Sequence, residues 1–162
     1  MFYATLSETP VGPLLLAADD CGLRFIRFSG AGNGQPSEAE PDPDWQYSER
    51  RLKESLSQLK AYFRKQLTRF DLPLAAMGTE FQQRVWRALC EVPYGQTASY
   101  GEIAQAVGQP TASRAVGMAN GRNPIAIVVP CHRIIGSTGR LVGYGGGLAR
   151  KTTLLELERR ND

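Results

Sequence analysis

The chain has 162 residues, of which 42% are hydrophobic and 22% charged. That balance suits one domain or two small ones with a real core, and no apolar run approaches the length of a membrane span. The start, Met1-Phe2-Tyr3-Ala4-Thr5, lacks the basic residues and greasy stretch of an export signal, so a cytoplasmic protein is expected. The three cysteines, Cys21, Cys90 and Cys131, form no Cys-x-x-Cys pair and point to free thiols in a reducing compartment. With one histidine, His132, a zinc site would have few ligands to draw on.

Phe2 to Leu6, Pro13 to Ala18 and Leu23 to Phe28 are short, apolar and punctuated by turn residues, the pattern of a small antiparallel meander. Ser29 to Asp44 collects Gly, Pro, Ser and acids, and reads as a mobile loop, about 29–46. From about Tyr47 to Gln66, Leu52, Leu56, Leu59 and Phe63 line one face of an amphipathic helix. Phe70 to Ala75 is a candidate return to the sheet. A division into units 1–77 and 78–162 follows.

In the second unit Thr79 and Gln82 have capping-box spacing ahead of a helix carrying Phe81, Val85, Trp86 and Leu89, which the turn at Pro93-Tyr94-Gly95 stops. Ser99 and Glu102 form a second capping box before a short helix that ends at Gly108. A further helix starts at Pro110 and runs through Ala112 to Ala119. Two short helices joined by a turn make a helix-turn-helix pattern, and alone that is weak evidence for DNA binding. Ile125 to Val129 reads as a buried strand ended by Pro130. Short extended pieces at Ile134-Ile135 and Leu141-Val142 flank a tight turn, Gly145 to Gly147 form a loop, and Leu148 to Arg160 a last helix.

Charge divides along the chain. Residues 1–79 hold 9 basic and 10 acidic groups, net −1, and residues 80–162 hold 10 and 6, net +4. Between Val92 and Leu155 the only acid is Glu102, against Arg114, Arg122, Arg133, Arg140, Arg150 and Lys151. Such a segment can meet phosphates, but on charge alone a solvated surface with ordinary charge scatter is the preferred reading.

The densest chemical signal is Pro130-Cys131-His132-Arg133. A thiol is a useful nucleophile as its thiolate, and a neighbouring imidazole or cation lowers its pKa. The bland alternative is chance adjacency, with Cys131 as core filler. Adjacent side chains in a regular strand face opposite ways, so the pair can cooperate only if the backbone turns or a water bridges them. An orienting carboxylate would come from Glu80, Glu91, Glu102, Glu156, Glu158 or Asp162, and the sequence does not select one.

The run Asn123 to Ile135 resembles the active-site signature of the O6-alkylguanine-DNA alkyltransferase family. The likeness extends in register from about Gly78 to Glu158 and includes Ser99-Tyr100, Ser113-Arg114-Ala115-Val116-Gly117 and Gly143-Tyr144-Gly145-Gly146-Gly147. The first half resembles that family's N-terminal domain less specifically. The resemblance implies an α+β fold, with a ribonuclease H-like antiparallel sheet and helix followed by a mainly helical, winged-helix-like DNA-binding domain. It implies irreversible, one-time transfer of an alkyl group from O6-alkylguanine, with O4-alkylthymine a further candidate, to Cys131.

In that mechanism Glu158 orients His132, His132 takes the Cys131 proton through a water, and Tyr100 protonates or hydrogen-bonds the departing base. Asn123 braces the catalytic loop, and Tyr144, Gly145 and Ile134 line the substrate pocket, Gly145 through its backbone N–H. Arg114 fills the stack left by the flipped base, while Ala112, Ser113 and Gly117 let their helix enter the minor groove of double-stranded DNA regardless of sequence. The chain is expected to be a monomer in solution, with cooperative binding along DNA left open, to need no cofactor and to touch no membrane.

Two departures matter. Family members that hold zinc in the first unit do so through Cys and His, and here Cys21 stands alone before residue 90, so no metal is expected. Many members have Ser where this chain has Gly145, which removes a hydroxyl contact and opens the pocket. A lesion binder without chemistry, a DNA-binding regulator and a cysteine hydrolase are the competing classes, separated by whether one, many or no alkyl groups are taken per chain.

Overall fold

The computed structural model describes residues 1–29, 40–139, 144 and 147–159. The expected extended piece at Leu141-Val142, the residues Gly145 and Gly146, Arg160, and most of the expected loop lie outside them. The protein is α+β, and it divides into two compact units, Met1–Ala76 and Met77–Asp162. No helix among the described residues is long and apolar enough to cross a membrane.

In the first unit, β1 (Phe2–Leu6), β2 (Leu14–Asp19) and β3 (Gly22–Phe28) form the expected antiparallel meander. Leu14, Leu15, Leu16 and Ala17 are all fully buried, so the central strand is covered on both faces. A short fourth strand, β4 (Gln46–Tyr47), pairs parallel with β1 and gives the order β3-β2-β1-β4. The helix expected over 47–66 is shorter, α1 (Lys53–Phe63), because Gln46 and Tyr47 are taken by the sheet edge. It buries Leu56 and Leu59 from the foreseen stripe, with Leu52 buried at its N-cap. The return at Phe70 to Ala75 amounts to one bridge, Leu74 to Leu23.

In the second unit, α2 (Glu80–Cys90) starts at the Thr79–Gln82 capping box, with both reciprocal bonds made. Gly78 precedes it because a Cβ there would lie 2.5 Å from Trp86 Cη2. Trp86 donates its indole N–H to the Ala119 carbonyl at 2.9 Å, tying α2 to α4 (Ser113–Gly121). Between them, β5 (Ala98–Ser99) leads into α3 (Tyr100–Ala106), capped by the Ser99–Glu102 box. α3 and α4 pack together as the helix-turn-helix pair. α4 begins at Ser113, three residues later than Pro110, with Ala112 as its N-cap. β6 (Ile134–Ile135) pairs parallel with β5, and α5 (Leu148–Glu158) closes the unit.

Ile125 to Val129 is not a strand. All five residues are buried, but the run is coiled into turns, with Val129 N–H bonded to the Ile125 carbonyl. The cause is Asn123: its Oδ1 accepts from Ile125 N–H at 3.0 Å and its Nδ2 donates to the Val129 carbonyl at 2.8 Å. One side chain pins both ends of the run, and Ile127 is forced to φ 74°. A β-branched residue there stores roughly 1–3 kcal/mol of strain, which burial and the tether sustain.

Candidate active site

The pinned run delivers Pro130 to a single 3-10 turn, Cys131–Arg133. The backbone therefore turns where Cys131 and His132 need it to if they are to cooperate. All three residues of the turn are buried, Cys131 at 6%, His132 at 0% and Arg133 at 5% exposure.

Of the five candidate carboxylates among the described residues, which leave out Asp162, one faces the site. Glu158, at the last position of α5 and 1% exposed, faces the turn. His132 Nε2 lies 2.7 Å from Glu158 Oε2. Arg133 donates Nε–H to Oε1 at 2.8 Å and Nη2–H to Oε2 at 3.0 Å, a two-pronged grip. Its Nη1 donates to the Val92 carbonyl at 2.7 Å, anchoring the fork to the end of α2. Burial pushes the Glu158 carboxyl up, but the hydrogen bonds from His132 and Arg133, with the positive charge of Arg133, outweigh it and bring the pKa down to about 2.

An ionised Glu158 fixes the histidine tautomer. The proton must sit on Nε2 to donate to the carboxylate, which leaves Nδ1 as a bare acceptor. Nδ1 is buried and has no hydrogen-bond partner among the described residues. Burial lowers the pKa of His132, with Arg133 and Lys151 acting the same way, against Glu158, which raises it. The imidazole is therefore neutral and able to accept a proton.

Cys131 differs from the simple expectation of an acidified thiol. Burial raises its pKa, and the lowering influences are side-chain hydrogen bonds with Asn123 and Tyr144 and the charge of Lys151, not its sequence neighbours His132 and Arg133. The thiol is thus protonated at rest and must lose its proton as it reacts. Lys151, on α5, was missed as a site residue. It is fully buried, and its Nζ donates to the Ile134 carbonyl. A buried, hydrogen-bonded lysine beside a thiol is a local source of positive potential. In the sequence it looked like one more surface cation.

Tyr100 is the first residue of α3, directly after the cap at Ser99, and the pairing of β5 with β6 brings it to the Cys131 turn. Burial raises the pKa of its phenol, and the Cys131 charge adds to this, so it stays a proton donor. Gly117 of α4 faces the Tyr100 ring, where a Cβ would lie 3.7 Å from Cε1. Ile134 is fully buried in β6. Gly147, at φ 90°, a conformation that favours glycine, donates its N–H to the Tyr144 carbonyl and is the N-cap of α5. Gly145 lies outside the described residues.

Arg114, Ser113 and Arg122 are exposed on α4 and Ala112 is half-buried. Arg133 and Lys151, counted with them as phosphate-facing, point inward instead, because each satisfies a buried oxygen.

Having one histidine makes the acid stability of the chain diagnostic. Below the ordinary value of 6.5 the unfolded chain gains a proton that folded His132 refuses, so stability falls as pH drops through 6.5. Glu158 adds to this from 4.5 down to about 2, where stability present at neutral pH is lost on protonation, about 3 kcal/mol in all. Urea midpoints from about pH 7.5 to about pH 5.5 should decline in the native chain and stay level in His132→Gln. A level native profile would mean that His132 titrates alike folded and unfolded.

The fold and site define an α+β protein of two units, the second joining a helix-turn-helix to a buried thiol with a histidine–carboxylate pair. Comparison with known proteins agrees with this description. Residues 1–76 match the family model of the 6-O-methylguanine DNA methyltransferase ribonuclease-like domain, and residues 80–160 that of the DNA-binding domain. A methylated-DNA–protein-cysteine methyltransferase of Methanosarcina acetivorans is 52% identical over 158 residues, 98% of each chain. One from Mycobacterium leprae is 52% identical over 98% of this chain and 93% of its own. The crystal structure of Mycobacterium tuberculosis OGT in complex with DNA superposes with a TM-score of 0.86 at 49% identity, covering 98% of this chain and 93% of that one. The chain belongs to the 6-O-methylguanine DNA methyltransferase family.

Proposed function

We propose that this protein repairs DNA by direct reversal, moving the alkyl group of O6-alkylguanine onto Cys131 once per molecule. The reading rests above all on the His132–Glu158 pair, which presents a neutral imidazole with a bare, buried Nδ1 on the same turn as a protonated thiol. The Cys131 proton passes through a bound water to His132 Nδ1, and Glu158 stabilises the imidazolium formed. Sγ attacks the alkyl carbon in line, a carbon–sulfur bond forms, the carbon–O6 bond breaks, and its electron pair leaves on the base. Tyr100 donates to the departing guanine, so the leaving group is not a free anion. Lys151 supports the developing thiolate, and Asn123 holds the loop that carries it. Tyr144 and Ile134 belong to the pocket wall, with Gly145 offering a backbone N–H.

The target atom is inaccessible inside a duplex, so the base is flipped out, at a cost of about a few kcal/mol. Arg114 fills the vacated stack. α4 enters the minor groove along Ala112, Ser113 and Gly117, where bulky side chains would not fit. Binding is independent of sequence and sensitive to salt. The protein acts as a monomer, in the cytoplasm.

The thioether product has no evident route of reversal, so the protein is consumed. Intact mass after incubation with excess O6-methylguanine duplex, followed by peptide mapping, should show one added methyl, on Cys131 and on neither Cys21 nor Cys90. Unchanged mass with confirmed lesion binding would make this a recognition protein, and release of many products per chain would make it a hydrolase.

A further inference from the structure

Charge in the first unit is segregated. Residues 1–79 are net −1 as a whole, yet 55–70 holds Lys60, Arg64, Lys65 and Arg69 and no acid, which leaves 5 basic and 10 acidic groups for the rest. All four cations are exposed, and none makes an ion pair among the described residues. The alkyl-transfer steps use none of them.

The fold gathers them at one end of α1. Lys60 and Arg64 are four apart and share a helix face. The chain then turns back on the helix. The Phe70 ring lies 5.4 Å from that of buried Tyr62, and Gln58 accepts from the Asp71 N–H and donates to the Asp71 carbonyl, both at 2.9 Å. That closure returns the backbone of Arg69 to the last turns of α1.

Helix-end electrostatics accounts for part of the cluster, since cations complement the negative end of a helix dipole. It does not account for Lys65. The helix ends in a Schellman turn, with Gln66 N–H on the Ala61 carbonyl at 2.8 Å and Lys65 N–H on the Tyr62 carbonyl at 3.0 Å. Lys65 is the left-handed residue of that turn, at φ 61°. Glycine is the usual residue there because it takes this conformation without steric cost, whereas a side chain is strained. Lys60 and Arg64 also repel each other across one helical turn, with no acid three or four residues from either. Stability of the helix end argues against both features, and strain kept at an exposed residue points to a use outside the fold.

We propose that Lys60, Arg64, Lys65 and Arg69 form a second DNA-binding surface, on the first unit, that grips the phosphate backbone of duplex DNA without reading bases. Two guanidiniums, each able to fork onto a phosphate, and two ammonium groups suit a row of phosphates. Four cations with no acid among them attract that backbone and carry no sequence information. The choice of DNA over an acidic protein rests on the repair reading; the surface itself takes no part at Cys131.

The test is acetylation of lysines in the full chain with and without an undamaged duplex, read by peptide mass mapping. Duplex should protect Lys60 and Lys65 several-fold and leave Lys53, exposed at the start of α1, unchanged. Lys65→Gly should not lower the melting temperature, because it relieves the left-handed strain, yet should reduce the salt slope of DNA binding by about one unit. Gln at all four positions should reduce that slope by about three units. Equal acetylation with and without duplex, or a native slope in the fourfold variant, overturns the proposal. A lower melting temperature for Lys65→Gly with native DNA binding also overturns it, making Lys65 a helix-end residue only. Self-association of the native chain without DNA, lost in the fourfold variant, overturns it in favour of a contact between copies. Failure of lysine protection while Cys131 still takes a methyl from a lesion duplex sinks this proposal alone. Absence of methyl transfer with Lys60 and Lys65 protected sinks the repair reading alone.

Discussion

Glu158→Gln is expected to slow alkyl transfer by roughly a hundredfold or more and to destabilise the C-terminal unit by about 3–5 kcal/mol. Two effects converge on this residue. Among the described residues its oxygens meet three donors, His132 Nε2 and two nitrogens of Arg133. A glutamine keeps one oxygen and places an NH2 where the other was, so a donor must face a donor. If the amide nitrogen meets His132, the imidazole moves its proton to Nδ1 and the general base is lost. If it meets Arg133, a donor faces the guanidinium, and in either orientation that guanidinium, 5% exposed, is left without its counter-charge, an uncompensated buried charge being the larger stability term.

A second substitution separates the two effects. Arg133→Met in the Glu158→Gln background removes the stranded cation, so urea unfolding should recover part of the lost stability. Transfer should remain slow, because the His132 tautomer is still unspecified. Transfer at the native rate in Glu158→Gln would show that Glu158 does not orient the base. Recovery of transfer together with stability in the double variant would show that the carboxylate only holds the fold.

The sequence made some of this legible and not the rest, for reasons tied to particular residues. Thr79–Gln82 and Ser99–Glu102 could be read because a capping box is local: its spacing is its geometry, and both boxes form with both bonds. The three N-terminal strands were equally local. Ile125 to Val129 was misread because five apolar residues carry no periodicity, and what bends them is a side chain two residues upstream reaching the Val129 carbonyl. Pattern does not register a tether of that kind.

Cys131, His132 and Arg133 stand together in the sequence, yet their partners do not. Glu158 is 26 positions from His132, and the chain offered six acids with nothing local to rank them; the family resemblance, not spacing, pointed to it. Arg133 and Lys151 were counted as surface charge because long cations usually are exposed. Only the fold shows that each has a buried oxygen to satisfy. The inversion of the Cys131 expectation has the same origin. Adjacency in sequence implied acidification by His132, whereas burial, which sequence does not report, sets the direction.

Arg114→Ala is expected to slow transfer from duplex DNA by about 10- to 1,000-fold, while transfer from free O6-methylguanine base changes little. Arg114 is the second residue of α4, exposed, and in no ion pair among the described residues, so its removal leaves the protein interior as it was. The cost therefore falls on DNA. Extrusion of a base takes about a few kcal/mol, and a guanidinium inserted into the vacated stack recovers part of it through its planar faces. The free base has nothing to extrude and no stack to fill, so the two substrates separate base flipping from chemistry at Cys131. Arg114→Lys keeps the charge and loses the plane. It should fall between the native protein and Arg114→Ala on duplex, while preserving the salt dependence of binding that Arg114→Ala reduces by about one unit of slope. Equal slowing on duplex and free base would place Arg114 in the structure of the site and remove it from base flipping. Equal rates for Lys and the native Arg would assign it to phosphate attraction alone.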